Sequence, residues 1–248
     1  MTIKNEEIVT GIVLKNKPYR ENDLLVWIYT HDYGKLTFLA KGVKKMTSKN
    51  APACQTITLA DYNLILKPGI SSLIKGNSQV YFRHIKQDIE LEAYATYCLE
   101  FVDKFTDENE PQEEIYDTLL AALMALENGY QPKLVYLLFN AFILKMTGSA
   151  LEVDQCVNCN RQDLITGISV VNGGFVCQNC QGKFDFQEPV AILKGFRYIN
   201  KWDILKIDQL HLDDDVIDRL VKIMDIFIDE YSGIRFNSRK FIQQLNKL

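Results

Sequence analysis

The sequence predicts an α+β protein with more than one domain, in which a small β-barrel is followed by an α-helical domain that carries a cysteine module. Three observations lead to this fold class. Five short segments of strand composition fill the first 82 residues, helical periodicity begins near residue 85, and two CxxC pairs stand inside the helical part. A chain of 248 residues can form two domains of this size, and the predicted domains are residues 1–82 and 83–248.

The strand segments are rich in Val, Ile, Leu, Thr and aromatic residues. They are EIVTGIVLKN, NDLLVWIYTH, GKLTFLAKGV, QTITLADYNLILK and SSLIKGNSQVYF. Turn sequences separate them at Lys17-Pro18, Asp32-Tyr33-Gly34 and Lys67-Pro68-Gly69. Five short strands indicate a closed five-stranded barrel, and the OB-fold is the barrel of this size most closely associated with nucleic acids. An SH3-like barrel has a similar number of strands, so the sequence leaves both open.

The second part of the chain has the periodicity of helices, with apolar residues at i, i+3, i+4 and i+7. The first three helical segments are DIELEAYATYCLEFVDKF, PQEEIYDTLLAALMALENG and QPKLVYLLFNAFILKMTG. Pro111 and Pro132 suit helix starts, and Gly129 and Gly148 suit helix ends. Three more segments follow the cysteine module: PVAILKGFRYINKW, DDVIDRLVKIMDIFIDEYSG and NSRKFIQQLNKL, the last with Asn237 as its predicted N-cap.

The charge is divided unevenly along the chain. The net charge of -4 argues by itself against a nucleic-acid partner. Residues 1–80, however, carry 11 Lys and Arg against 6 Asp and Glu, whereas residues 81–248 carry 17 against 26. This asymmetry predicts two domains with different partners, of which the N-terminal one suits a polyanion.

The sequence also indicates where the protein acts. The segment MTIKNEEIVT lacks the basic and then apolar layout of a secretory signal. The longest apolar run, residues 134–146, contains Asn140 and Lys145 and is too short and too polar to span a bilayer. We therefore expect a cytoplasmic protein with no membrane partner.

A cysteine module, CVNCNRQDLITGISVVNGGFVCQNC, occupies residues 156–180. Its spacing, C-x2-C-x17-C-x2-C, predicts a zinc site with four thiolate ligands: Cys156, Cys159, Cys177 and Cys180. The part GISVVNGGFVC reads as a hairpin that turns at Gly173-Gly174 and delivers the second pair. Two disulfides or free thiols are the alternative, which a cytosolic location disfavours. Redox chemistry of the thioredoxin type needs a CxxC at a helix start in a βαβ unit, a context absent here.

The predicted zinc is structural, one ion per chain, because four protein ligands leave no open position for water or substrate. We expect it to hold an insertion of about residues 152–185 within the helical domain. Charged residues between the outer cysteines are limited to Arg161 and Asp163, too few basic groups for a finger that reads DNA. Cys54 and Cys98 stand alone and are predicted to be small buried hydrophobic residues.

The positive charge that suits DNA lies in the predicted barrel. No carboxylate occurs from residue 33 to residue 60, and this stretch contains the predicted DNA-binding residues Lys35, Lys41, Lys44, Lys45 and Lys49. A cationic strip without carboxylates is what binding to backbone phosphates requires. Trp27, Tyr29, Tyr33 and Phe38 are candidates for stacking on unpaired bases, although Trp27 and Phe38 fit the barrel core better.

Enzymatic motifs are absent from the sequence. It contains no phosphate-binding loop, no G-x-S-x-G elbow and no H-E-x-x-H pair. His31, His84 and His211 are scattered, and the acidic run at 213–215 suits a helix start better than a metal. We predict that the protein is not an enzyme. A zinc-containing DNA-binding transcription regulator is the alternative, but no helix with a clear base-reading face is evident.

The stretch YRENDLLVWIYTHDYGKLTFLAKGVKKMTSK, residues 19–49, resembles the N-terminal signature of the RecO family of DNA repair and recombination mediators. The resemblance continues through YNLILKPGISSLIKG, the two CxxC pairs and SRKF at residues 238–241, and it covers nearly the whole chain. It implies an N-terminal OB-fold and a helical domain with a zinc module. Lys44 and Lys45 stand where arginine is frequent in the family, so phosphate contact is kept but bidentate geometry is not.

The resemblance also implies a function. It implies binding to single- and double-stranded DNA, annealing of complementary strands coated by single-stranded-DNA-binding protein, and, together with RecR, promotion of RecA loading. It also implies a cytoplasmic protein that associates with the nucleoid. The single-stranded-DNA-binding protein typically ends in an acidic and hydrophobic tail. We expect this tail to dock on Arg235, Arg239 and Lys240, the compact basic group of an otherwise acidic domain. These charges would alternatively complement a helix end.

Overall fold

The computed structural model describes residues 6–245, so the last three residues of the predicted C-terminal helix lie outside the described part. The chain packs as two compact units. One unit contains the residues up to Asn128 together with those from Phe236 onward, and the other contains Gly129–Arg235. The predicted domain boundary between residues 82 and 83 stays a prediction.

The first unit begins with a closed five-stranded barrel. Its strands are β1 (Glu6–Tyr19), β2 (Asp23–Thr30), β3 (Gly34–Ala40), β4 (Leu59–Ile65) and β5 (Ile70–Val80). The order around the barrel is β1-β2-β3-β5-β4, and β4 closes it by pairing with β1. The β3–β5 pair is parallel and the other pairs are antiparallel. This topology is that of the OB-fold, so the predicted barrel is confirmed and the SH3-like alternative is excluded.

Alternation along the strands builds the barrel core. Val26 and Ile28 of β2 point inward, and both are fully buried. They pack with inward residues of the other strands, including Val13, Leu36, Phe38, Tyr62 and Leu64. Trp27, between the two, lies on the outer face and is half-buried. Its predicted place in the core is therefore wrong, whereas that of Phe38 is confirmed.

The fourth strand starts later than the sequence predicts. The sequence predicts its start at residue 55, but the strand begins at Leu59, because Pro52–Cys54 form a short 3₁₀ helix and Ile57 has a left-handed φ of 54°. Neither conformation continues a strand. The Tyr62 hydroxyl donates a 2.7 Å hydrogen bond to the carbonyl of Ala53, which fixes this 3₁₀ turn to the barrel.

Seven helices are present within the described residues. They are α1 (Arg83–Gln87), α2 (Ile89–Phe105), α3 (Glu113–Glu127), α4 (Pro132–Met146), α5 (Val190–Lys201), α6 (Asp214–Tyr231) and α7 (Asn237–Leu245). All except α1 are predicted within a few residues. The Asp88 side chain caps α2 by accepting hydrogen bonds from the N–H groups of Glu90 and Leu91, at 2.8 and 3.2 Å. None of these helices has both the length and the apolar character that crossing a membrane requires.

The second unit combines helices with a small sheet. Its strands β6 (Ile165–Ser169), β7 (Gly174–Cys177) and β8 (Phe186–Gln187) form a sheet in the order β7-β6-β8. The β6–β7 hairpin is the one predicted, and Gly173 adopts the left-handed φ of 75° that its turn requires. A Cβ on Gly174 would lie 2.2 Å from the carbonyl oxygen of Glu152, so the backbones can approach there because the residue is glycine.

Candidate functional site

The two CxxC pairs meet in space. The Sγ atoms of Cys156, Cys159, Cys177 and Cys180 all lie within 4.8 Å of one another. The first pair belongs to a loop in which the N–H of Asn160 donates to the carbonyl of Cys156 at 2.9 Å. The second pair begins at the end of β7, where the N–H of Cys180 donates to the carbonyl of Cys177 at 3.0 Å. Both pairs therefore turn tightly and direct their sulfurs to one point.

None of the four thiols belongs to a disulfide bond, and their surroundings shift the pKa values of two of them. The sulfurs of Cys159 and Cys177 are 3.7 Å apart, much farther than a disulfide bond. Burial opposes ionisation of Cys156, but hydrogen bonds from the backbone N–H groups of Cys177, Asn158 and Cys159 outweigh it and lower its pKa to about 6. Hydrogen bonding with the thiols of Cys159 and Cys177 raises the pKa of Cys180 to about 12. A cation at the centre would offset the repulsion among thiolates, so this donor set could bind a thiophilic metal ion.

The two isolated cysteines are core residues, as predicted. Cys54 is fully buried in the barrel core, and burial raises the pKa of its thiol to about 12. Cys98 is buried in α2, and burial raises the pKa of its thiol as well. Neither thiol has the low pKa of a reactive cysteine.

A second candidate site is the lysine loop, residues 41–50, which leaves the barrel after β3. Its lysines are exposed: Lys41, Lys44, Lys45 and Lys49. The loop is held to the start of β2 and to the turn before it: the N–H of Gly42 donates to the carboxylate of Asp23, the first residue of β2, at 2.7 Å. The N–H and the ammonium of Lys44 donate to the carbonyls of Asn22 and Glu21, each at 3.0 Å. The far end is fixed by the Asn50 side-chain oxygen, which accepts from the N–H of Gly76 at 3.1 Å.

Lys35 does not share this exposed surface. Its side chain is buried, and its ammonium donates hydrogen bonds to the carbonyl oxygens of Asp103, at 2.8 Å, and Thr106. The charge of Lys35 therefore serves the contact between β3 and the end of α2 and is not available to a phosphate. A strand position gives no sign of this, because the partners lie about 70 residues away in sequence.

The four candidate aromatic residues in and between β2 and β3 differ in exposure. Tyr29 and Phe38 are fully buried, so neither can stack on a base. Tyr33 is 36% exposed at a turn. Trp27 lies on the outer face of β2, and the ammonium of Lys15 is 5.0 Å from its ring centroid. Among these four rings, Tyr33 and Trp27 remain candidates for stacking.

Basic residues of β1 lie on the same outer face as Trp27. Lys15 pairs with Trp27 in the β1–β2 register, and Lys17 pairs with Leu25. Lys17 is exposed, whereas the ammonium of Lys15 also forms a 2.5 Å ion pair with Asp103. The sequence prediction missed these lysines. Their K-x-K alternation in a strand is the signal that could have found them.

The predicted basic group near the C-terminus is not uniformly exposed. Arg235 and Lys240 are exposed, but the Arg239 side chain is only 5% exposed. Arg239 lies on the buried face of α7 together with Ile242. The exposed part of this group therefore consists of Arg235 and Lys240, and Arg239 is an unsuitable residue for docking a partner.

The barrel and the cysteine cluster define the class of protein. An OB-fold with an exposed lysine loop precedes helices that carry a four-cysteine module able to bind a metal ion. Proteins of this class combine a fold suited to nucleic acid with a closed metal module.

Comparison with known proteins gives the family. The family model for the N-terminal part of recombination protein O matches residues 4–79, and the model for its C-terminal part matches residues 86–240. The chain belongs to the RecO family. Proteins named DNA repair protein RecO are similar along nearly their whole length. The relative from Bacillus pumilus (strain SAFR-032) is 29% identical over 250 residues, covering 100% of this chain and 96% of the relative.

Two further relatives carry the same name. The protein from Listeria monocytogenes serotype 4a (strain HCC23) is 30% identical over 239 residues, and that from Shouchella clausii (strain KSM-K16) is 32% identical over 241. Each alignment covers 96% of this chain and 94% of the relative. Membership of the family supports a role in DNA repair. The family is one of recombination mediators and not of enzymes, as the sequence predicts.

Proposed function

We propose that this protein is a recombination mediator that binds single- and double-stranded DNA and anneals complementary strands coated by single-stranded-DNA-binding protein. Together with RecR it would promote the loading of RecA, in the cytoplasm at the nucleoid. The observation that carries this proposal is the match of both RecO family models, which together span residues 4–240. The barrel topology and the exposed lysines agree with it.

The lysine loop is the proposed contact with DNA. Lys41, Lys44, Lys45 and Lys49 are exposed within a segment that contains no carboxylate. Each ammonium that meets a phosphate releases a condensed counterion, which favours binding without regard to sequence. The loop is anchored at Gly42, Lys44 and Asn50, so little chain entropy would be lost when it binds. Lys17 and Trp27, on the outer face of the barrel, would extend this surface.

Annealing follows from the same charges. Two complementary backbones repel each other until cations bound between them reduce the repulsion. A protein that brings four lysines to one loop can supply such cations while leaving the base edges free to pair. This mechanism requires no base-specific contact and no catalytic group.

For the cysteine module we infer a structural zinc ion. The four sulfurs lie within 4.8 Å of one another and could supply all four ligands of a closed tetrahedral site, which would leave no position for water or substrate. When bound, zinc would supply a cross-link between the loop at Cys156–Cys159 and the end of β7. The buried residues around it are few, Val176 with Val157 and Ile165 beside it, so the small sheet has little apolar core of its own.

Arg235 and Lys240 are exposed residues of different compact units, and each is proposed by itself as a contact for the tail of the single-stranded-DNA-binding protein. A fluorescent peptide with the acidic and hydrophobic character of that tail tests each contact. Its affinity is expected to fall severalfold for Arg235→Glu and for Lys240→Glu, because like charges then face each other. The exposed Lys222→Glu, on α6, is the matched control. Equal binding by all four proteins would rule out both contacts.

The decisive functional experiment is strand annealing. Complementary oligonucleotides coated with single-stranded-DNA-binding protein are mixed with wild type, with Lys44→Ala/Lys45→Ala, or with the control Lys183→Ala/Lys222→Ala. Wild type and control should anneal the strands, and the loop variant should be much slower. No annealing by wild type would contradict the proposed function. A transcription regulator would instead bind one duplex sequence far more tightly than unrelated ones.

A further inference from the structure

The outward face of α5 and the turn after it carry an aromatic pair. The ring centroids of Tyr198 and Trp202 are 6.3 Å apart, with the ring planes at 69°. Tyr198 is 41% exposed, Leu205 in the following turn is 64% exposed, and Trp202 is half-buried. The opposite face of α5 is buried through Ile192, Leu193, Phe196 and Ile199. The helix is thus oriented by its core, and the two rings remain at the surface. We call Lys194, Tyr198, Trp202, Leu205 and Lys206 the α5 face.

The position of Trp202 is fixed by hydrogen bonds. Its indole N–H donates to the carbonyl of Lys206 at 2.8 Å, and its backbone N–H donates to the carbonyl of Tyr198 at 2.8 Å. The Asp203 carboxylate accepts from the N–H of Leu205 at 3.0 Å and caps the short 3₁₀ helix Ile204–Gln209. Because the indole N–H is already satisfied, what the ring offers to a partner is its apolar π-face.

The charge around the rings is positive in an acidic setting. Residues 129–235 carry 11 basic and 14 acidic residues, yet residues 190–206 contain four basic residues and a single acidic one. Arg197 and Lys201 both donate to the Asp154 carboxylate. Within residues 6–245, Lys194 and Lys206 have no carboxylate partner. Lys194 lies one helical turn before Tyr198. The backbone of Lys206 lies beside Trp202, because its carbonyl accepts the hydrogen bond from the indole N–H.

We propose that the α5 face is a second binding site for single-stranded DNA, separate from the lysine loop. Aromatic faces that stack on bases, flanked by cations that meet phosphates, are the combination that binds single strands without sequence preference. The inference rests on the proposed annealing function and deepens it. Annealing needs two strands, and a chain with two sites can hold one strand at each, which raises their effective concentration toward each other.

The two tryptophans of the chain allow a direct test. Trp27 reports on the barrel and Trp202 on the α5 face, so Trp202→Phe and Trp27→Phe leave one reporter each while preserving an aromatic ring. Each variant is titrated with an eight-residue oligothymidylate, and tryptophan quenching is followed. We expect Trp202 to be quenched in Trp27→Phe, and also when Lys44→Ala/Lys45→Ala is added to that variant. When Lys194→Gln/Lys206→Gln is added to Trp27→Phe instead, the affinity measured from the quenching of Trp202 should fall about tenfold.

The outcomes separate the inference from the proposed function. Two results together support a second strand site. Trp202 is still quenched when Lys44→Ala/Lys45→Ala is present, and Lys194→Gln/Lys206→Gln anneals coated strands more slowly than wild type. If oligothymidylate leaves Trp202 unchanged while wild type still anneals coated strands, the α5 face is not a DNA site and the function stands. If an acidic peptide quenches Trp202 and oligothymidylate does not, the face binds protein and the inference is overturned. Lys222→Gln is the control, and we expect it to change neither the quenching of Trp202 nor the rate of annealing.

Discussion

The carboxylate of Glu100 in α2 accepts hydrogen bonds from both the backbone N–H and the hydroxyl of Ser238 at the start of α7, at 2.9 and 2.5 Å. The same carboxylate accepts from the N–H of Asn237 at 2.9 Å and forms a 2.7 Å ion pair with Lys104. A carboxylate from another helix thus caps the N-terminus of α7, whereas the sequence predicts that the side chain of Asn237 is the cap. Burial by itself would raise the pKa of Glu100, but these hydrogen bonds outweigh it and lower the pKa.

Glu100→Gln should weaken the docking of α7 by about 1 kcal/mol, because a neutral amide is a poorer acceptor for the N–H groups of the helix. Amide hydrogen exchange in Asn237–Leu245 should become faster. Since the pKa of Glu100 is lowered in the folded state, its contribution to stability is present above the ordinary glutamate pKa of about 4.3 and is lost as the pH falls through the folded pKa.

The stability difference between wild type and Glu100→Gln should therefore be largest above about pH 5 and shrink toward about pH 3. Glu92→Gln, at an exposed position of the same helix, is the matched control and should show neither effect. A difference that grew on acidification would refute the capping role of Glu100.

Lys35→Met should lower stability and leave DNA binding nearly unchanged. The substitution removes the ammonium that donates hydrogen bonds to the carbonyl oxygens of Asp103 and Thr106. We expect the free energy of unfolding to fall by about 1–3 kcal/mol. Lys41→Met, at an exposed position of the lysine loop, should weaken DNA binding and leave the free energy of unfolding nearly unchanged. Urea denaturation and DNA titration of the two folded variants distinguish the two roles. A stable Lys35→Met protein with weakened DNA binding would return Lys35 to the proposed DNA site.

Metal analysis should give about one zinc ion per chain. Cys177→Ser removes one of the four thiolates, and the small sheet in Gly129–Arg235 should lose its cross-link and unfold at lower temperature. The barrel should keep its strand signal, since Cys177 belongs to the other compact unit.

The control for this experiment is Cys54→Ala, which removes a buried thiol of the barrel core. It should lower the stability of the barrel while leaving the zinc content unchanged. Native-like melting of metal-free protein would show that the ion does not stabilise the fold, and absence of any bound metal would contradict the zinc proposal.

Local patterns explain what the sequence could predict. The β-branched and aromatic composition of VWIYT in β2 and the helical period in α2 to α7 depend on neighbours within a few residues, so both are readable. The hairpin at Gly173-Gly174 and the convergence of the two CxxC pairs were predictable for the same reason, because spacing and turn chemistry determine them. The strand order that distinguishes an OB-fold was not readable, because β3 pairs with β5 and not with its neighbour in sequence.

Long-range contacts explain what the sequence could not predict. Lys35 looks like its neighbours Lys41 and Lys44 until the carbonyls of Asp103 and Thr106 are brought to it by folding. Arg239 likewise has a charged side chain that would be expected at the surface, but it occupies the inner face of α7. In both cases the identity of the residue suggests exposure, and a packing partner far away in sequence decides otherwise.

Binding of DNA backbone phosphates by the lysine loop makes the affinity for DNA depend on the salt concentration in a defined way. The affinity of wild type for an oligothymidylate is measured from about 50 to 300 mM salt, alongside Lys44→Ala/Lys45→Ala and Lys183→Ala/Lys222→Ala. Log affinity should fall linearly with log salt, by about 0.7 per phosphate contact. The loop variant should lower this slope by about one to two and weaken all sequences alike. An unchanged slope and affinity for Lys44→Ala/Lys45→Ala would show that the lysine loop does not bind the phosphates and would place the DNA site elsewhere.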